Sequence, residues 1–266
     1  MNSKKIKIGA FQFSPCNDIV KNLEAIKRGI ELASEKNVRL LLTQECALCG
    51  YPPVEIPSVD SINQVAQHEA LNEISLLSQK YNMFIALGIV SFIDNCVYNS
   101  VQLISPENTE YKPYNKRALW GWDKDNFTQG NDIGVYIIDG IKVGIRICFE
   151  VRFPEYFREL FRNKVDLCLI SFTDIGKPEQ KGKLNIIQSH LVSRATENVM
   201  HVLSANSISQ YQLAPTCLID PDGIILEMAP LNQESLITRE IEILPPDFGQ
   251  EGRLANSKIL QGMDIY

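Results

Sequence analysis

The stretch GIRICFEVRFPEYFREL, Gly144 to Leu160, puts a cysteine, Cys148, where an apolar strand-like run stops and a helix-like pattern starts. A thiol is a weak nucleophile until it ionises, and a helix N-terminus or a neighbouring base assists that ionisation. The usual base is histidine, and the chain has three: His68, His190 and His201. His68 lies on a polar helical face, His190 within another helical segment and His201 at the head of an apolar strand. None stands at a strand end, so a Cys–His dyad is not indicated. Two other residues are better placed. Glu45 directly follows the apolar run RLLLT, in TQECALCGYPP, which directs its carboxylate to the same rim as Cys148. Lys116 ends YKPYNK, an alternating stretch that runs into a loop. A buried carboxylate can take a thiol proton, and an ammonium can hold a thiolate and then an oxyanion. Each residue also has a bland interpretation: a buried thiol, a solvated turn carboxylate, a surface lysine. Spacing alone does not establish that the three meet.

The elements that must position them alternate in type. Lys5–Phe13 has the pattern of a buried strand. Asn17 or Asp18 then caps a helix running to about Glu35, with Ile19, Leu23, Ile26, Ile30 and Leu32 at helical spacing. Arg39–Thr43 is a second strand, Gln64–Tyr81 a second helix, and Met83–Phe92 and Cys96–Ser105 are strands about a turn at Asp94-Asn95. Val135–Ile138 and Ile141–Ile147 form a hairpin across Asp139-Gly140. Helix Pro154–Asn163, strand Val165–Phe172, helix Lys183–Asn198 and strand Met200–Ala205 follow. Thr216–Ile219 and Ile224–Met228 close the series across Asp220–Gly223. No repeat, linker or low-complexity tract interrupts this order. Alternation with interspersed hairpins predicts an α/β fold with a mixed sheet, and strands this apolar must be covered on both faces. A single domain of stacked sheets with outer helices accommodates the whole pattern.

Composition bounds the function. The 266 residues are 45% hydrophobic and 22% charged, ordinary for a soluble globular protein able to bury a large core. A net charge of −6 with no Lys/Arg block argues against nucleic acid or an anionic membrane surface as the main partner. No apolar stretch of about eighteen residues is present, so no membrane span is expected. The N-terminal MNSKKIKIGAFQF alternates like a strand rather than showing a leader's apolar core. The seven cysteines, at 16, 46, 49, 96, 148, 168 and 217, are odd in number and mostly set in apolar runs. Reduced thiols in a cytoplasmic protein fit that better than a disulfide framework.

Five motifs in order make the chain resemble the nitrilase superfamily of carbon–nitrogen hydrolases, in its amidase branches, over about Lys5 to Ile243. QECALCGYPP is similar to the family's glutamate motif and YNKRALWGWDKDNFTQG to its lysine motif. GIRICFEVRFPE matches its cysteine motif, SRATENVMHVLSAN the long helix and strand that follow, and APTCLIDPDGIILE the late hairpin. The resemblance implies a four-layer α-β-β-α sandwich, without cofactor or metal, that forms a homodimer or a higher homo-oligomer. The tail from about 244 to 266 would then pack on the partner. It also implies a triad: Glu45 as general base, Lys116 as electrostatic stabiliser and Cys148 as nucleophile. The Phe149 backbone N–H joins Lys116 in the oxyanion hole. Cys148 would attack a small carboxamide, release ammonia and leave a thioester for water to hydrolyse. A partly buried base predicts a neutral or weakly acidic pH optimum.

The pattern departs from the family at one slot. Counting back from Gly130, Asp123 stands where many members carry a second glutamate; it is one methylene shorter, and Asp125 is a further candidate. Trp122, Phe149, Phe172, Thr173 and Asp174 are candidate pocket residues, and Trp120 is expected in the core. Arg152 and Glu155 are expected in a buried ion-pair network holding the turn after the nucleophile, and Glu197 and Asn198 in structural roles. Cys46 and Cys49 form a lone C-x-x-C, too little for a zinc ribbon. Other functions remain open. An N-carbamoyl amine is an alternative substrate class. A nitrilase is disfavoured because Phe149 stands where nitrilases commonly have tryptophan. A glutaminase unit feeding a synthetase is disfavoured because no synthetase half follows. A catalytically weak binding protein is the alternative of another class.

Overall fold

The computed structural model describes residues 4–263; the first three residues and the last three, which end the expected partner-packing tail, lie outside it. In chain order the strands are β1 (Lys4–Gln12), β2 (Leu40–Thr43), β3 (Phe84–Ile93), β4 (Cys96–Ile104), β5 (Tyr114–Asn115), β6 (Val135–Ile138), β7 (Ile141–Ile147), β8 (Leu167–Phe172), β9 (Ile175–Gly176), β10 (His201–Asn206), β11 (Tyr211–Gln212), β12 (Cys217–Ile219), β13 (Ile225–Met228) and β14 (Ser235–Ile243). The helices are α1 (Ile19–Glu35), α2 (Gln64–Tyr81), α3 (Asp123–Asn126), α4 (Pro154–Arg162), α5 (Gly182–Asn198) and α6 (Phe248–Leu260).

Two six-stranded sheets share one plan. The first has the order β14-β1-β2-β3-β4-β5 and the second β13-β12-β10-β8-β7-β6. Each has three parallel strands at its centre, β1-β2-β3 and β10-β8-β7, with antiparallel strands outside them. Parallel neighbours need helical crossovers, which α1 and α2 supply for one sheet and α4 and α5 for the other. Alternate residues of each strand feed different cores. Leu40 and Leu42 meet Ile8, Val143, Ile145 and Leu167 between the sheets, while Leu41 packs outward with Phe11, Ile26 and Ile30. On the far side Cys168 and Ile170 pack with Phe157, Ile187 and Leu191. Three apolar layers thus hold four structural layers, the α-β-β-α sandwich.

Local chemistry accounts for the element limits. Asp18 caps α1, its Oδ1 accepting from the Val20 and Lys21 amides. Asp139 and Gly140 both adopt positive φ, 49° and 78°, as a tight hairpin with right-handed twist needs. Besides the short α3, β9 and β11, two longer elements have no counterpart in the sequence expectation. Strand β14 adds to the edge of β1, and α6 packs on α5 of the same chain, with Arg158 reaching Ser257. No described helix is long and apolar enough to cross a membrane.

Candidate active site

The carboxyl ends of β2, β7 and β8 meet at one rim, the usual location of chemistry in parallel α/β sheets. Hydrogen bonds across the two sheets fix that meeting. Ser171 Oγ donates to Thr43 O at 2.9 Å, and the Glu45 amide donates to Phe172 O at 3.3 Å. The backbone after β2 also lies hard against β3, because Gly88 has no side chain. A Cβ there would stand 2.0 Å from Gln44 O and 2.8 Å from the Cys46 amide. Glu45 is thereby held between both sheets.

Glu45, Lys116 and Asp123 form one buried network, each only 1% exposed. Lys116 Nζ donates to Glu45 Oε1 at 2.7 Å and to Asp123 Oδ2 at 2.8 Å. Asn99 Nδ2 also donates to Glu45 Oε1 at 2.7 Å, and the Thr173 amide to Glu45 Oε2 at 2.7 Å. Asp123 accepts from the Tyr51 hydroxyl and from the Trp120 amide. The lysine reaches this depth because its loop closes tightly. The Gly130 amide donates to Lys116 O, and a Cβ on Gly130 would stand 2.2 Å from Asn115 O. Asp123 therefore does touch Lys116 in spite of its shorter side chain, whereas Asp125 is exposed and takes no part.

Cys148 opens the short turn Cys148–Arg152 with φ of +46°, a left-handed conformation costly for a residue with a Cβ. The turn is held by Glu150, fully buried. Its Oε2 accepts from the Ile147 amide at 2.7 Å, and its Oε1 from the Tyr114 hydroxyl at 2.8 Å and the Arg117 amide at 2.6 Å. Tyr114 and Arg117 flank Lys116, so one carboxylate ties the lysine segment to the nucleophile's strand. Arg194 of α5 adds a hydrogen bond to Val151 O at 3.0 Å. Glu197 and Asn198 brace that helix end, as expected of them: Glu197 accepts from Arg194, and Asn198 Nδ2 donates to Arg194 O.

Electrostatics at the three groups follow from burial and charge. Burial pushes the Cys148 thiol well above its ordinary value; Glu45 pushes the same way and Lys116 opposes it. Burial also raises Glu45, against the pull of Lys116, and Asp123 raises it further. Burial works against the Lys116 ammonium, but Glu45, Cys148 and Asp123 outweigh it and hold the amine protonated. A neutral thiol thus sits beside an anionic base and a fixed cation. The histidines lie elsewhere: His68 exposed on α2, His190 on α5 near Arg152 and Arg194, and His201 buried at the start of β10.

Three expectations need correction. Glu155 is exposed, Arg152 is half-buried without an ion pair among the described residues, and the carboxylate that holds the turn is Glu150. The ion pairs nearby run instead from Glu159 to Arg117 and Arg146. Trp120 is not in the core: it is 62% exposed and stacks on Phe149 with ring centroids 5.2 Å apart. Phe149, Phe153 and Tyr156 continue that ladder beside a cavity of about 590 Å³. Trp122 is exposed just ahead of α3. Phe172 does not line the pocket, because its ring is buried between β8 and the helices, and only its carbonyl serves the site. Thr173 contributes its amide, and Asp174 stands at the rim. Cys46 and Cys49 are buried free thiols; Cys49 donates to Gln67 Oε1 at 2.6 Å, and burial pushes its pKa up to about 12. A cavity of about 560 Å³ between β14 and α6 shares none of the residues of this site.

The chain is similar to known proteins in sequence and fold. The 2-oxoglutaramate amidase of Bacillus subtilis is 24% identical over 84% of this chain and 85% of its own. The deaminated glutathione amidase of Dictyostelium discoideum is 25% identical over 91% of this chain and 89% of its own. A solved structure superposes with a TM-score of 0.78 at 20% identity, covering 89% of this chain and 90% of that one. It is a glutamine-for-glutamate variant of the amidase from Nesterenkonia sp. AN1, showing covalent addition of the acetamide moiety of fluoroacetamide at the active-site cysteine. The sequence profile described as Carbon-nitrogen hydrolase matches residues 7–243. With that match spanning nearly the full length and the fold in agreement, the chain belongs to the carbon–nitrogen hydrolase family.

Proposed function

We propose that this protein is a cysteine-dependent amidase that hydrolyses a small carboxamide through a thioester and releases ammonia. The observation that carries this reading is the buried bridge of Lys116 between Glu45 and Asp123, set at the rim where Cys148 is presented. The cysteine-bound adduct in the Nesterenkonia amidase, whose fold this chain shares, supports Cys148 as the nucleophile.

Cys148 Sγ bonds to the amide carbon while its proton passes to Glu45, and the carbonyl electrons move onto oxygen. Because the thiol is not ionised in advance, attack and proton transfer are coupled. Lys116 and the Phe149 amide face the oxyanion. Collapse breaks the carbon–nitrogen bond as Glu45 returns its proton to nitrogen, and ammonia leaves. Water then attacks the thioester with Glu45 again as base, giving the carboxylic acid and the free thiol. Asp123 acts as a positioning residue for Lys116. The protein works in this reading as a homodimer, a state supported by the apolar Phe248 and Leu260 left exposed on α6 of the tail; light scattering of the purified protein decides it.

The test is ammonia release from a panel of small amides, N-carbamoyl amines and nitriles, with Cys148→Ala alongside. Release from an amide that vanishes in Cys148→Ala is the expected result. Release that survives this substitution, or release confined to nitriles, refutes the proposal.

A further inference from the structure

Four carboxylates in and beside the site have both oxygens taken. Glu45 accepts from Lys116, Asn99 and Thr173, and Asp123 from Lys116, Tyr51 and Trp120. Glu55 accepts from the Ser209 hydroxyl and the Tyr51 amide, and Glu150 from Ile147, Tyr114 and Arg117. Asp174 differs. Its backbone is fixed: its amide donates to Asn206 Oδ1 at 3.0 Å, and its carbonyl accepts from Asn206 Nδ2 at 2.9 Å and the Leu213 amide at 2.8 Å. Its carboxylate receives no hydrogen bond among the described residues, although its side chain is only 15% exposed. The nearest cation, Lys183 Nζ, stands 3.9 Å away on a side chain 44% exposed.

A half-buried carboxylate at the rim with no protein donor is left to water, and a ligand cation can take the water's place. Asp174 lies near the reacting groups. It follows Thr173, whose amide holds Glu45, and its charge acts on both Cys148 and Lys116. Burial raises its carboxyl, while Lys183, Arg152 and Lys116 oppose that rise and favour the anion. Around Cys148 the carboxylates of Glu45 and Asp123 share Lys116, while Lys183 and Arg152 act on Asp174 from the outer side. A substrate bringing its own carboxylate would meet Asp174 as a like charge. One bringing an ammonium would find an anion without donors.

We propose that Asp174 sets substrate choice, receiving a primary ammonium group at the far end of the substrate, so that the enzyme takes amino amides in preference to amides bearing a second carboxylate. This rests on the amidase reading above for turnover, though not for binding. The ammonium displaces the loosely held Lys183, which swings to solvent.

Three probes of similar length decide it: δ-aminovaleramide, glutaramate and valeramide. In the full-length protein, kcat/KM for δ-aminovaleramide exceeds that for glutaramate by about tenfold or more. Asp174→Asn collapses this ratio, and Lys183→Met raises it, so the two substitutions move one number in opposite directions. The same ratio is read as Kd by calorimetry on Cys148→Ala, where no turnover is needed. If no amide is turned over, the amidase reading fails, while the binding ratio still decides the role of Asp174. A preference for glutaramate, which Arg152 and Lys183 would then serve, overturns the proposal. So does a preference for the amino amide that survives Asp174→Asn.

Discussion

The two sheets bring different kinds of residue to the same rim. The first sheet and the loop after β5 supply Glu45, Lys116 and Asp123, all buried, with every carboxylate oxygen bonded. The second sheet supplies Cys148 and Phe149, both partly exposed, and leads through Thr173 to the donor-poor carboxylate of Asp174. Proton transfer and charge stabilisation need groups that do not reorganise as the reaction proceeds, which favours the dry half. Attack and recognition need groups that substrate can reach, which favours the open half. The Thr173 amide, bonded to Glu45, joins the two and keeps the base in step with the rim.

If that division is real, substitutions in the two halves fail in different ways. Cys148→Ala is expected to lower kcat by about 10⁴-fold or more while leaving thermal stability nearly unchanged, since no hydrogen bond to its sulfur holds the fold among the described residues. Lys116→Met is expected to lower kcat as severely and also to destabilise the protein by about 3 kcal/mol or more, because two buried carboxylates then face each other unpaired. Rate assays combined with denaturant unfolding separate the pair. Equal stability losses in both variants would break the comparison. A smaller effect sharpens it without touching a reacting group. Gly88→Ala forces a Cβ against Gln44 O and the Cys46 amide, so the backbone carrying Glu45 must move. The expected cost is about 1–3 kcal/mol of stability, together with a fall in kcat larger than any rise in KM. An unchanged kcat would show that the dry half tolerates displacement.

The same division marks what could be read in the sequence. The central strands were legible because they are buried on both faces and read as apolar runs, and Asp18, Asn163 and the Asp139-Gly140 turn delimit their neighbours. Glu45 and Cys148 stood out because each follows such a run, and Lys116 because it ends the alternating stretch YKPYNK. Glu150 was not. Its importance comes from Tyr114 and Arg117, more than thirty residues away in sequence, and a single acid after a cysteine carries no local signal. Arg152 and Glu155 drew attention by proximity, yet Glu155 is exposed and Arg152 makes no ion pair among the described residues. Phe172 was misplaced because period two tells which residues share a face but not which face looks to the helices. Strand β14 was missed because it is an edge strand, with Ile237 and Ile241 buried among charged neighbours, so its apolar run is broken.

The finest test of the dry half is its pH dependence, where the sign is fixed by geometry. Glu45 acts in its ionised form, and burial with help from Asp123 holds its pKa above the ordinary carboxylate value. Activity therefore falls as pH drops through that raised value, and the acid limb of kcat/KM lies higher than a solvated glutamate would place it. The thiol is raised too, so no limb that follows thiolate formation is expected near neutrality. Asp123→Asn removes one of the charges that raise Glu45 while keeping a side chain of the same size. It is expected to shift the acid limb to lower pH even as kcat falls. Loss of positioning alone would lower kcat and leave the limb in place. A limb that moves to higher pH would mean that Asp123 governs Lys116 in some way other than through the shared field on Glu45, and the two carboxylates could not then be treated as one unit.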